Sequence, residues 1–253
     1  MRISLLFLLS VFYSSAQQIE VEKVTSLPNK YDTFWGNDLS GKYYFSNSNT
    51  LYKVSKSDTV NYANNNFGKI SSVETFNMLQ TLIFYKENNA FVLLDSQLNE
   101  INLSIFSEIN CEFLKPASQN ELWFYDSLSQ QIGLYNLNSK KIKFLSNPIK
   151  NISYSQSDYN YLYWIDTERN CFSISKFGKI ATLGKANPYQ KTVFLNQNEL
   201  FYLVDNKIYY YTFENQLSQQ VNINEKLIEN FCYTDGFFSI FTNYQLSTYQ
   251  IKK

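Results

Sequence analysis

The chain has no histidine, and that absence excludes more chemistry than any motif present suggests. Ser-His-Asp triads, Cys-His dyads, His-ligated zinc and His-ligated haem all need an imidazole. Glycine (7) and proline (4) are scarce in 253 residues, so Gly-rich phosphate cradles have little material to be built from. Neither sign of charge is in excess: Lys+Arg 22 against Asp+Glu 22 gives a formal net charge of 0. The broad positive field that phosphate-backbone binding relies on is missing, so nucleic acid is not an expected partner. Cys111, Cys171 and Cys232 are an odd set at wide spacing, which argues against a disulfide framework. Each has apolar or aromatic neighbours and is expected to serve as a small core hydrophobe. Beyond the N-terminus no stretch approaches the roughly 18 apolar residues of a membrane helix.

What is present begins with an export signal. Met1-Arg2 supplies one positive charge, Leu5 to Tyr13 is a short apolar run, and Ser14-Ser15-Ala16 offers small residues for cleavage. This layout predicts a cleavable signal peptide over 1–16 rather than a buried N-terminal strand. It leaves one mature domain, 17–253. No cysteine lies near the cleavage point, so a lipoprotein is not expected. The expected compartment is the periplasm.

Aromatic residues make up 18% of the chain, with 21 Tyr and 21 Phe, and they lean towards strands. They recur in a fixed plan of strand, polar turn, strand. The first instance is Tyr43-Tyr44-Phe45 turning into Leu51-Tyr52-Lys53-Val54, and the last is Phe237 to Phe241 turning into Leu246 to Tyr249. Second strands of these hairpins begin at 51, 91, 132, 171, 208 and 246. A period of about 39 residues with several strands per unit is the signature of β-propeller blades. Turns such as Ser46 to Asn49, Lys86 to Asn89 and Asp205-Asn206 have hairpin chemistry.

The expected fold is therefore all-β, a six-bladed propeller. Ile19 to Val24 alternates apolar and charged residues and is expected to be the outer strand that completes the last blade, otherwise about Leu227 to Tyr249. Segments beginning at Thr33, Ser72, Cys111, Ile152, Thr192 and Ile228 are expected to be the inner strands lining the channel. Asn61 to Asn66 reads as a polar loop between blades.

One catalytic arrangement stays open, a pair of channel carboxylates acting on a glycan. Glu74, Glu112 and Glu229 are its candidates, unless they pair with Lys115 or Lys226. An acidic pair across an open channel would favour hydrolysis; a channel filled by Phe76, Phe113, Phe194 and Phe231 would favour a scaffold. Tyrosines offer a sugar-binding platform, although the same residues suit a β core. Asp58-Thr59-Val60 and Asp126-Ser127-Leu128 look like the sites at which Bacteroidota bacteria O-glycosylate exported proteins. Asn102-Leu103-Ser104 and Asn151-Ile152-Ser153 fit the eukaryotic sequon.

A longer stretch carries a family resemblance. Phe67-Gly68-Lys69-Ile70-Ser71-Ser72-Val73-Glu74-Thr75-Phe76-Asn77, then Leu82-Ile83-Phe84-Tyr85-Lys86, then Val92-Leu93-Leu94-Asp95-Ser96-Gln97-Leu98-Asn99-Glu100-Ile101, resembles a family of exported, propeller-like Bacteroidota proteins. That group is similar to the plug on the periplasmic side of the type IX secretion translocon. The resemblance is sharp over 67–135, with Ser72, Phe76 and Asn77 as its most specific positions, and it brings no catalytic residue. It implies a non-enzymatic periplasmic protein, monomeric by itself, that binds another envelope protein. With the last hairpin running to Tyr249, no appended sorting domain is expected, which fits a protein that stays in the periplasm. No catalytic, cofactor or metal residue is assigned; a glycan-binding or glycan-hydrolysing propeller is the alternative.

Overall fold

Segments that are apolar at every position are buried on both faces. In Thr81–Tyr85 and Ala90–Leu94 all residues are buried, although successive strand side chains point to opposite sides. Ile83, Tyr85, Val92 and Leu94 pack in one cluster, while Leu82, Phe84, Phe91 and Leu93 pack in another. Such a sheet needs a neighbour on each side, and a ring of sheets supplies it. The computed structural model describes residues 18–252 except 76 and 119; the expected signal peptide, 1–16, lies outside them.

Six four-stranded antiparallel sheets form a six-bladed β-propeller. In chain order the blades span 33–63, 72–105, 111–144, 152–185, 191–220 and 228–251, the last completed by Val21–Pro28. Six apolar clusters occupy the six seams between blades. The innermost strands, Thr33–Asn37, Ser72–Glu74, Cys111–Pro116, Ile152–Ser157, Lys191–Phe194 and Ile228–Thr234, fall where the sequence placed them.

The closing strand is longer than expected and later in register. Val21 pairs with Ile251 and Pro28 with Gln245, with a bulge between Lys23 and Thr25. Ile19 instead bridges to Val221 on the fifth blade. The bulge breaks the alternation that the sequence pattern extended through Val24, which is exposed. A second correction concerns Asn61. Thr59–Ala63 is the outer strand of the first blade, with only the 3-10 turn Asn65–Phe67 and its flanks as connector. One buried side chain, Tyr62, anchors that polar strand, too little for a strand pattern to register.

All three cysteines are free thiols. Cys111 and Cys171 are buried, as their neighbours suggested. Cys232 is half-buried, and its Sγ donates to Asn37 Oδ1 at 2.7 Å. Burial pushes the Cys232 thiol up to about 12, so it is not a thiolate near neutral pH.

The strand order gives the disc two unlike faces. One carries the turns that join first to second and third to fourth strands of each blade, here the turn face. The other carries the central hairpin turns and the links between blades, here the connector face.

Candidate functional site

The channel carboxylates do not meet. Glu112 and Glu229 are the extra residues at β-bulges in the third and sixth blades, between Cys111 and Phe113 and between Ile228 and Asn230. A bulge leaves its extra residue outside the ladder. Both sit near the connector end of strands three blades apart, on opposite sides of a six-membered ring. Glu112 forms an exposed ion pair with Lys86. Glu74 lies at the other end of its strand, 2.5 Å from Lys115 Nζ, the counterion expected for a structural role. Among the described residues Lys226 pairs with none of the three; its neighbour Glu225 is engaged instead, by Lys23 at 2.9 Å.

The three described candidate phenylalanines do not fill the channel either. Phe113 stacks on Tyr125 in the third–fourth seam, Phe194 is buried in the fourth–fifth, and Phe231 in the fifth–sixth. Phe76 lies outside the described residues. Both sides of an innermost strand face neighbouring blades, so its large apolar side chains enter seams. Polar side chains join the innermost strands instead. Asn230 Nδ2 donates to the Phe34 carbonyl at 2.8 Å, and Ser157 Oγ to the Pro116 carbonyl at 2.7 Å. Gln156 Nε2 donates to the Phe194 carbonyl, while its Oε1 accepts from the Phe194 amide. Tyr44 and Tyr85 are fully buried, so the tyrosines belong largely to the core rather than to an exposed sugar platform.

Two sets of Asx residues shape the faces, and sequence reading saw only loop composition there. On the turn face, Asp38, Asn77, Asp158 and Asn196 each accept an amide two residues on, at 2.7–2.9 Å. Asn77 thus has a turn-forming role, and Ser72 opens the innermost strand of its blade. On the connector face, Asn49, Asn89 and Asn206 reach across to the link between blades. Each donates to a carbonyl there and accepts from an amide, as Asn206 does from Ile228 at 2.7 Å and to Glu225 at 2.7 Å. Their positions follow the blade period, which was the available signal.

Asp38 also ends a buried charge pair, with Lys53 Nζ 3.6 Å from its Oδ2. Burial alone would raise the Asp38 carboxyl, but Ser40, the Lys42 amide, Tyr44 and Lys53 outweigh it and hold it below its ordinary value. Burial lowers the Lys53 ammonium, offset in part by Asp38. Lys53 donates to the Ser96 carbonyl in the second blade, so this charge pair ties two blades together. Among the described residues no three Cys, Asp or Glu side chains are grouped to hold a metal.

Concave surface with apolar walls occurs on the turn face. A cavity of about 400 Å³ opens between the second and third blades, with Leu82, Leu93, Leu122 and Leu137 in its wall. Another, about 410 Å³, opens between the sixth and first blades, walled by Val24, Leu39, Tyr43 and Phe237. Phe177 (84% exposed), Leu79 (71%) and Leu39 (51%) stand on the turns of the same face. The concavity on the connector face, about 550 Å³, is lined by polar side chains alone, among them Asp32, Asn49 and Lys69.

No protein-family model matches this chain, and no curated protein matches it in sequence. Solved structures match it in fold. A catalytically inactive virginiamycin B lyase from Staphylococcus aureus with quinupristin is 16% identical at a TM-score of 0.58, covering 89% of this chain and 83% of that one. A luciferin-regenerating enzyme is 11% identical at 0.58, covering 90% and 95%. The WD40 β-propeller domain of Doa1 is 13% identical at 0.56, covering 92% and 78%. At such identities the likeness speaks for architecture alone: the chain is a β-propeller.

Proposed function

We propose that this protein is a non-enzymatic binding propeller that docks on another protein through its turn face. The observation that carries the reading is the placement of two cavities with leucine, valine and aromatic side chains in their walls on that face, against a concavity lined by Asp, Asn, Ser, Thr and Lys residues on the other. Large apolar side chains such as Phe177, Leu79 and Leu39 stand exposed on the turns of that face, as Leu128, Tyr244 and Leu227 do on the other, so the apolar-walled cavities rather than exposure alone single it out. Catalytic chemistry of the lyase kind does not carry over: that enzyme's inactive form has alanine in place of a histidine, and this chain has no histidine.

The resemblance over 67–135 supplies the finer reading. The compartment is the periplasm, reached through the 1–16 signal, and the partner is an outer-membrane or periplasmic protein. Its specific form is a plug on the periplasmic side of a type IX secretion translocon. The test is a tagged pull-down from gently solubilised envelopes of the source organism, with Leu79→Asp and Phe177→Asp on one face and Leu128→Asp on the other. Co-recovery of a large outer-membrane translocon, lost in the first two variants and kept in the third, is the expected result. A protein that comes out alone, or loss only with Leu128→Asp, overturns it.

A further inference from the structure

The cavity between the second and third blades is the open end of an apolar core. Leu82, Leu93 and Leu122 belong both to its wall and to the buried cluster of that seam. The polar part of the wall is acidic. Glu74 and Glu121 stand in it with no Lys or Arg among the described lining residues, and Glu74 is paired from outside the wall by Lys115. The Glu121 carboxylate has no hydrogen-bond or ion-pair partner among the described residues. The Ser118 hydroxyl, also on the wall, is buried and has no partner among the described residues. A buried hydroxyl without a partner is an unfavourable state that a bound donor or acceptor relieves.

We propose that this cavity is the anchor site of the docking face, taking an apolar side chain of a partner segment together with an adjacent cationic side chain. The inference rests on the docking reading and names what that surface recognises. The leucine floor provides for the apolar side chain, and displacement of its water drives insertion. The wall's uncompensated carboxylate provides for the cation, as charge complementarity requires. Asn77, Ser118 and Asn120 add uncharged polar groups to the wall for the partner's backbone. An anion meets the wrong sign of charge. A glycan lacks the flat aromatic platform it stacks on, since Tyr159 is the one aromatic among the described lining residues.

The probe is the peptide Ac-Gly-Phe-Arg-Gly-amide, titrated into the exported, ¹⁵N-labelled chain. Saturable shifts are expected at Leu82, Leu93, Ser118 and Leu122, with a dissociation constant in the millimolar range. Replacing either the Phe or the Arg of the probe by Gly should weaken binding about tenfold. Glu121→Gln should weaken it about fivefold, and the effect should shrink at high salt. Ser118→Ala should bind less well while melting no lower than the parent, which separates a ligand contact from a structural one. Shifts elsewhere, equal response to an all-Gly control, or displacement by cellobiose overturn the proposal. The envelope pull-down keeps the two readings apart. A translocon captured equally by the parent and by Glu121→Lys removes the anchor site and leaves docking intact; peptide binding with nothing captured does the reverse.

Discussion

Two seams of the ring are built differently. Between the second and third blades, eleven buried residues form one cluster among the described residues, including Phe84, Phe91, Phe124 and Tyr135. Between the sixth and first blades, where the ends of the chain meet, the corresponding cluster has four: Phe34, Phe45, Phe241 and Leu246. Directed bonds make up the difference. Tyr43 shares a hydrogen bond with Thr248 at 2.7 Å, Asn230 bonds the Phe34 carbonyl, and Cys232 bonds Asn37. Glu225 receives Lys23, Tyr249 and Gln245, which links the closing strand to the sixth blade. Directed bonds cross the second–third seam as well, Glu74 with Lys115, Glu112 with Lys86 and Asn89 with Cys111, so the two seams differ chiefly in how much apolar surface they bury. Where that burial is small, hydrogen bonds carry more of the register, which non-directional burial does not specify.

Removing residues 18–28 attacks the closing seam most directly. It strips the sixth blade of its outer strand, exposes an edge and opens the ring. We expect a loss of more than about 5 kcal/mol in urea unfolding, with rapid amide exchange over Gln245–Ile251. A truncated chain within about 1 kcal/mol of the parent would show that the small cluster closes the ring unaided.

Single side chains come next. Phe124→Ala should cost about 3–5 kcal/mol globally, since it empties the larger cluster. Phe241→Ala removes a quarter of the smaller one and should appear first as faster exchange in the sixth blade alone. Equal global losses with no local opening would erase the distinction between the seams.

Gly133 sharpens the comparison within the larger seam. A Cβ there would lie 2.4 Å from Phe124 Cζ and 2.6 Å from the Lys143 carbonyl oxygen. Gly133→Ala should cost about 1–3 kcal/mol by overpacking. Part of that loss should disappear in the Phe124→Ala background, and strict additivity would refute the contact as its cause.

The smallest effect is electrostatic and belongs to the closing strand, whose Lys23 meets Glu225 in the link between the fifth and sixth blades. Burial would raise the Glu225 carboxyl, but Lys23, Tyr249 and Gln245 outweigh it and hold it at about 2, against an ordinary 4.5. Its folded value is depressed, so its contribution is complete above about pH 4.5 and is lost as pH falls through about 2. Lys23 is partly exposed, which reduces the gain to about 1–2 kcal/mol. The parent should lose that much more stability than Glu225→Gln between pH 5 and pH 2 in urea titrations. Parallel profiles would remove Glu225 from the closure.

The hairpins were legible because the second strand of every blade is buried on two sides. Trp123-Phe124 and Tyr163-Trp164 are therefore unbroken apolar runs, and their period counts the blades. The outer strand Thr59–Ala63 was not legible, because one buried tyrosine in five residues leaves no pattern. Glu112 and Glu229 were placed on the right strands but in the wrong setting. A bulge depends on how two strands pair, and neither strand alone encodes it.

By itself the sequence determined the ring: six repeats, their inner strands, the completion of the last blade from the N-terminus, and the absence of imidazole chemistry. These follow from local periodicity and composition, which need no knowledge of distant contacts. Tertiary structure decided where the carboxylates point, which seam buries more apolar surface, and where apolar concave surface collects. Those properties belong to pairs of residues far apart in the chain, such as Glu74 with Lys115 and Lys23 with Glu225. Their chemistry is set by burial and distance, and both exist only once the ring has closed.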